Sequence, residues 1–370
     1  MPNALTNTQA VSSLVFQDGF DYYNDLYTKW TSGNIDTHTI TAPGRFGYGQ
    51  KVTINGQYYG SRIIKALPSA TGYSRLVMGV ACRIESTSPV PSDIFGFISS
   101  TGGPTCAFGF DTLGRAYFTN NPNNGYLGGE ASGTRIVQSG PGVIPFAQWF
   151  YAEMDVVFSA SGAGSVSMRV NGLEIINQVG ITTSLENAGY GIGLFESGNG
   201  PVGNNHSFDD IYVLAPQPAT PGDSFLGDIK VVGLLPNGAG RVTGFTQTGG
   251  ISGSNYSSVN DTPPDGDNSY VSSNVVGTVD TYKIPPPNAI TPVSQVYGVS
   301  VYALGRKDDS PSRFISCGVG NGTTENFDAG SPLGSSYAYV QRVFPTNPLT
   351  NQPWALSDFD SLQLAIKLVT

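Results

Sequence analysis

Two carboxylates are the first residues whose spacing suggests chemistry. Glu153 and Asp155 alternate within Trp149-Phe150-Tyr151-Ala152-Glu153-Met154-Asp155-Val156, so a strand there would point both side chains to one face. Retaining cleavage of a glycosidic bond uses two carboxyl groups about 5–5.5 Å apart, one as nucleophile and one as acid. The competing reading is a polar stripe on a half-buried strand, and we prefer it. The two histidines, His38 and His206, sit in polar sequence that reads as surface loop. A serine nucleophile would need one of them as its base, and no G-x-S-x-G elbow is present to present that serine. Gly102-Gly103 and Gly128-Gly129 fall in loops rather than between a strand and a helix, so they read as turn glycines and not phosphate cradles.

Binding residues form two further groups. Asp261, Asp265 and Asp267, with Asn268, make the cluster most suited to Ca²⁺, because carboxylate and carbonyl oxygens are its ligands. An EF-hand loop starting at Asp265 would require Gly at 270 and Glu at 276, where the chain has Tyr270 and Val276. A solvated Asp-Gly turn is the simpler reading, so calcium is the one cofactor worth testing and none is required. Tyr58, Tyr59, Tyr117 and Tyr126 are the candidate sugar platform, since an aromatic ring stacks on the apolar face of a pyranose. Adjacent strand residues face opposite sides, so only one of Tyr58 and Tyr59 can point outward. Core or subunit packing competes for every ring, including Tyr22, Tyr23, Tyr27, Trp30 and Trp149.

The elements that must hold these residues are strands. The chain has 370 residues, Gly 48 and Pro 25, and 12% charged residues, half the usual share. Long exposed helices need charge, whereas Tyr, Phe, Ser, Thr and Asn suit pleated surfaces joined by tight turns. The net charge is −9, with 10 basic and 15 acidic residues in 1–215 and 8 and 12 in 216–370. No basic cluster is available for phosphates, so nucleic-acid binding is not expected. Cys82, Cys106 and Cys317 are widely spaced and odd in number, which predicts buried free thiols. The first 28 residues hold no Lys or Arg and no apolar core, and no run approaches about 20 apolar residues. The expectation is a protein made in the cytoplasm without a signal peptide and without membrane insertion.

Residues 1–13 are polar and aperiodic and read as an arm that orders against a partner, with Met1, Leu5, Val11 and the following Leu14 as its apolar anchors. A first β domain spans 14–214, with strands predicted at Lys51–Asn55, Arg62–Leu67, Arg75–Ile84, Asp93–Ile98, Thr105–Phe110, Arg115–Thr119, Thr134–Gln138, Gln148–Phe158, Tyr190–Phe195 and Ser207–Leu214. Val166, Met168 and Val170 alternate up to Asn171-Gly172, which predicts a type I′ hairpin within Ser165–Asn177. Pro216, Pro218 and Pro221 make 215–223 the linker, and 224–370 a second β-sandwich domain. Its predicted strands include Asp228–Val232 and a longest one at Val293–Leu304, with Thr248–Asn274 as a polar surface excursion.

The order of Phe16-Gln17-Asp18-Gly19-Phe20 with Trp30, the Trp149 strand, the Asn-Gly hairpin and the closing Phe208-Asp209-Asp210-Ile211-Tyr212-Val213 resembles a concanavalin A-like lectin/glucanase sandwich. That resemblance implies a jelly roll over the first domain. It also supplies a test, for Glu153 and Asp155 match the start of the glucanase E-x-D-x-x-E pattern, while Val157 and Phe158 stand where its second Glu belongs. An enzyme is therefore not expected. Phe225-Leu226-Gly227-Asp228-Ile229-Lys230-Val231, Asp265-Gly266-Asp267-Asn268-Ser269-Tyr270-Val271 and Asn347-Pro348-Leu349-Thr350 before Trp354 resemble the C-terminal part of tailed-bacteriophage virion proteins that carry a concanavalin A-like N-terminal part. The joint resemblance implies a virion surface component, tail-associated or head-decorating, whose partners are other virion proteins, copies of itself and host polysaccharide. Few like-charge barriers oppose self-association, and a trimer is the expectation. The alternatives are a free-standing glycan-binding lectin and, last, a glycan-cleaving enzyme.

Overall fold

The computed structural model describes residues 13–33, 38–55, 61–87, 89–120, 134–196, 204–216, 225–289 and 292–370, and these are almost entirely β. The chain divides into two compact units. One comprises Val15–Asp21 and Trp30–Val231, and the other Met1–Leu14, Tyr22–Lys29 and Val232–Thr370.

In the first unit, one sheet runs edge to edge through Leu173–Ile181, Gly164–Val170, Trp149–Val157, Arg75–Ile84, His206–Leu214, Lys51–Ile54 and His38–Thr41, with Leu14–Asp18 also paired to His206–Leu214. The other runs through Thr134–Gln138, Ala116–Asn120, Pro104–Phe110, Ser92–Ile98, Gly191–Glu196, Ser61–Ala66 and Ser32–Gly33. The pairings along both sheet orders are antiparallel, as the sandwich expectation requires. Alternation fixes which side of the first sheet is core. Met154 lies opposite Met78 on one side and Met168 on the other, and all three are fully buried. Polarizable thioethers fill the centre of this layer, while Phe150, Val80 and Val156 extend it. Asn171 (φ 48°) and Gly172 (φ 78°) both adopt the left-handed conformation, so the hairpin turns as its Asn-Gly pair predicts. The long edge strand Leu173–Ile181 carries two register shifts, which blunt it as a template for pairing with another chain.

The second unit is a smaller sandwich. A sheet ordered Gly238–Thr243, Val279–Lys283, Gln363–Leu368, Phe314–Gly320 and Glu325–Asn326 shares a core with the ribbon of Val299–Gly305 and Ala338–Phe344. Cys317, Val319, Val340, Phe344, Trp354 and Leu362 meet there. The Trp354 indole N–H donates to the Phe344 carbonyl at 2.8 Å, which leaves the ring free to pack without an orphaned donor.

Several boundaries differ from the sequence reading. Val293–Leu304 shrinks to the seven-residue Val299–Gly305, and the ten-residue Arg75–Ile84 is longer. Asp228–Val232 is not a strand, and its Val231 N–H donates to the Asp210 carboxylate instead of to a ladder. The Thr248–Asn274 excursion is anchored rather than loose. Its Asn255 amide donates to the fully buried Asp280 carboxylate at 2.6 Å, and the Gln247 amide bonds to Ile251 and Ser258. Tyr22–Lys29 belongs with the C-terminal unit, where the Lys29 ammonium lies 4.9 Å from the Tyr23 ring and 3.9 Å from that of Tyr302. Leu14 is no arm residue but opens a strand and is 4% exposed. Met1, Leu5 and Val11 lie outside the described residues.

Candidate functional site: the outer face of the first sheet

The polar side of the eight-stranded sheet carries the residues that could do chemistry, and register places them in rows. Trp149, Arg83, Ser207, Thr53 and Thr39 form one row across five strands. Tyr151, Ala81 and Asp209 form the next. Glu174, Arg169, Glu153, Gly79 and Tyr212 form the third, and Ser167, Asp155, Val77 and Leu214 the fourth.

A bulge builds the third row. Two residues, Asp210 and Ile211, separate Asp209 from Tyr212, where the partner strand spends only Val80 between Ala81 and Gly79. Asp210 takes φ 51°, a conformation that Asp tolerates better than most side chains. The extra residue restores Tyr212 to the outer face. Its ring then lies over Gly79, where any Cβ would overlap it.

A strap covers the third row. Phe225–Val231 crosses the face from the hairpin side to the 42–50 loop, through contacts made by its backbone and by the side chains of Phe225, Asp228 and Lys230. The Arg169 guanidinium lies 4.5 Å from the Phe225 ring. Leu226 N–H donates to the Tyr212 hydroxyl at 3.0 Å, Gly227 N–H to Glu153 Oε1 at 2.8 Å and Val231 N–H to Asp210 Oδ1 at 2.8 Å. Arg45 grips Asp228 with both terminal nitrogens at 2.6 Å.

Beneath the strap the carboxylates have no room for substrate. Glu153 is 1% exposed and also accepts from the Tyr212 hydroxyl at 2.5 Å. Burial pushes its pKa up, against the pull of those two hydrogen bonds. Asp155 is held by Arg75, whose Nε and Nη2 lie at 3.0 and 2.7 Å. Burial raises Asp209 and Asp210 well above the usual carboxylate range, helped by the Asp210 charge at Asp209 and by the Asp21 and Asp228 charges at Asp210. Glu153 and Asp155 thus line a polar sheet face, each with structural partners, and Val157 and Phe158 offer no acid to assist them.

Among the described residues no segment crosses the first row. Glu85 sits at its centre, 2.9 Å from Arg83 Nε, 3.2 Å from Lys51 Nζ and 2.6 Å from the Ser207 hydroxyl. The Ser207 and Thr53 hydroxyls lie 2.8 Å apart, and Lys51 Nζ stands 5.8 Å from the half-buried Trp149 ring. Arg83 keeps 36% of its side chain exposed. Ser207 is fully buried and serves to hold Glu85, so the groups that can face a polyhydroxylated chain are one indole, two cations, one carboxylate and the Thr53 hydroxyl.

The aromatic platform read from the sequence is not assembled. Tyr117 is 2% exposed, lies against Gly109 on one side and has the Arg135 guanidinium 4.2 Å from its ring on the other. Both ring faces are taken, so it cannot stack on a sugar. Tyr58, Tyr59 and Tyr126 lie outside the described residues. The calcium cluster also separates. Asp267 accepts from Tyr337 at 2.6 Å and Arg306 at 2.9 Å, so a cation already neutralises it. Asp261 and Asp265 share the Ser269 hydroxyl at 2.8 and 3.0 Å, and among the described residues no group of three or more His, Cys, Asp and Glu could hold a metal. The histidines are not loop residues either. His38 begins the edge strand, and His206 is 1% exposed in the core, with Nδ1 2.8 Å from the Phe195 carbonyl and its ring against Phe110 and Phe208. Sequence reasoning missed the Trp149 row because its members come from five separate strands. The available signal was polar residues alternating with core residues in each.

No protein-family model matches the chain, and no curated protein matches it. Among solved structures it is similar to an endo-β-1,4-glucuronan lyase from the fungus Trichoderma reesei, at 13% identity over 55% of this chain and 96% of that one, with a TM-score of 0.37. An alginate lyase aligns at 14% identity over 54% of this chain and 96% of the other, with a TM-score of 0.34. The binding domain of Paraclostridial Mosquitocidal Protein 1 aligns at 12% identity over 56% of this chain and 50% of that one, with a TM-score of 0.38.

Proposed function

We propose that this protein is a non-catalytic surface component of a tailed-phage particle that contacts host glycans through the open Trp149 row. The observation that carries the non-catalytic part is the engagement of Glu153. Its carboxylate is buried and holds Tyr212 and the strap's Gly227, so it is withheld from any scissile bond. The paired motif resemblances over both halves supply the particle setting, tail-associated or head-decorating, and copies of the chain and other virion proteins are its partners. Support for glycan contact is the grouping in the first row of Trp149 with Lys51, Arg83 and Glu85.

Gold-labelled antibodies on particles from the source, viewed by electron microscopy, test the setting. Label on the tail or capsid is expected, and its absence from every particle overturns the virion assignment. A glycan screen with the purified chain tests the row. A lectin acting without a particle is the reading that remains if glycans bind and no particle is labelled. Release of reducing ends or of unsaturated sugars would overturn the non-catalytic assignment.

A further inference from the structure

The strap is fastened through groups that change charge. On the sheet side its partners are Tyr212, Glu153 and Asp210, while Asp228 of the strap is held by Arg45. Asp209 lies beside this fastening and accepts the Arg45 backbone N–H at 2.8 Å. Asp21, from the opening segment, faces the same group and accepts Gln50 N–H at 2.9 Å.

Arg45 and Arg169 face this group of carboxylates. Arg45 is the nearer, but both of its terminal nitrogens are committed to Asp228 and it approaches Asp210 only to 3.7 Å. Arg169 acts on Glu153. Tyr151 donates its hydroxyl to the Asp210 backbone carbonyl and, with Tyr212, stays neutral, because burial pushes both phenols up. Ionising Asp209 and Asp210 together would place adjacent negative charges in a water-poor layer beneath the negative Asp228.

We infer that Phe225–Val231 is a pH-released cover, loosened from the sheet when the carboxyl groups of Asp209 and Asp210 beneath it lose their protons. Ionisation strengthens the single bond from Val231 N–H to Asp210. Burial and the charges of Asp21 and Asp228 oppose it. Lifting the strap hydrates the Asp210 carboxyl and takes Asp228 away from it, which relieves Asp209 through its neighbour's charge, so opening releases protons and is favoured as pH rises. It also uncovers Tyr212 and Glu153 beside the open row. The device stands independently of what that row binds.

The test is amide hydrogen exchange on the full chain from about pH 5.5 to about pH 8.5. Protection of the Leu226, Gly227 and Val231 N–H groups, corrected for intrinsic exchange, should fall about tenfold or more over that range. Met154, in the middle of a ladder, should keep its protection. Asp210→Asn should flatten the dependence, because Asn keeps an Oδ1 acceptor for Val231 and tolerates the positive φ but does not titrate. Asp209→Asn provides the same comparison if the first variant fails to fold. Protection independent of pH in the wild type, or an equal slope in the folded variant, overturns the inference.

Discussion

Two rows of one sheet face, about 14 Å apart at two residues per row, have opposite fates. In the Glu153 row each polar group faces a partner within the same unit, and the strap closes the row. In the Trp149 row a similar mix of aromatic, cation and carboxylate stays open. The residue types do not make the difference. Gly79 leaves space for the Tyr212 ring, the Asp210 bulge aims that ring outward, and the Tyr212 hydroxyl and Glu153 then accept strap N–H groups. In the open row Arg83 and Ser207 occupy the equivalent positions and bond sideways to Glu85. Polar residues on a sheet therefore become structure or site according to whether a chain segment can lie down on them.

The comparison can be broken most directly at Gly79. Gly79→Ala puts a methyl group into the Tyr212 ring, and we expect it to cost about 2–4 kcal/mol, measured by chemical denaturation. The open row has no such contact, so Trp149→Ala should retain the circular dichroism spectrum and weaken glycan binding at least about tenfold. Glu153→Ala should destabilise by about 2–3 kcal/mol, because Gly227 N–H and the Tyr212 hydroxyl lose their acceptor. Asp155→Ala, which breaks a partly exposed ion pair with Arg75, should cost about 1 kcal/mol or less.

The two rows also differ in the direction in which protons act. Behind the open row, burial lowers the His206 pKa to about 4, so the folded state binds its proton less readily than the unfolded chain. Stability from this group is complete above about pH 6.5 and is lost as pH falls towards about 4, an effect of about 2–3 kcal/mol that His206→Gln should reduce. Under the strap, Asp209 and Asp210 are raised, so their contribution is present at low pH and is lost as pH rises. The smallest expected effect is chemical. Cys82, Cys106 and Cys317 are buried and free, burial pushes the Cys317 thiol up to about 12, and native protein should not react with a thiol reagent that labels all three after unfolding.

Composition and alternation determined much of this fold. Low charge with abundant Gly and Pro ruled out helices, period-two runs located Arg75–Ile84 and Thr134–Gln138 to the residue, and Asn171-Gly172 gave its turn, because these signals act between neighbours in the chain. The missing second carboxylate at Val157 and Phe158 was legible for the same reason. Other features needed three dimensions. Nothing local marks Asp228–Val231 as a strap rather than a strand, since its N–H partners lie on residues far away in sequence. Tyr117 reads like an exposed platform until Gly109 and Arg135 close on its ring. His206 reads as polar until Phe110 and Phe208 surround it. Strand identity follows from the alternation of residues along one chain, whereas exposure and partnership are properties of whole sheets, fixed only when distant strands fall into register.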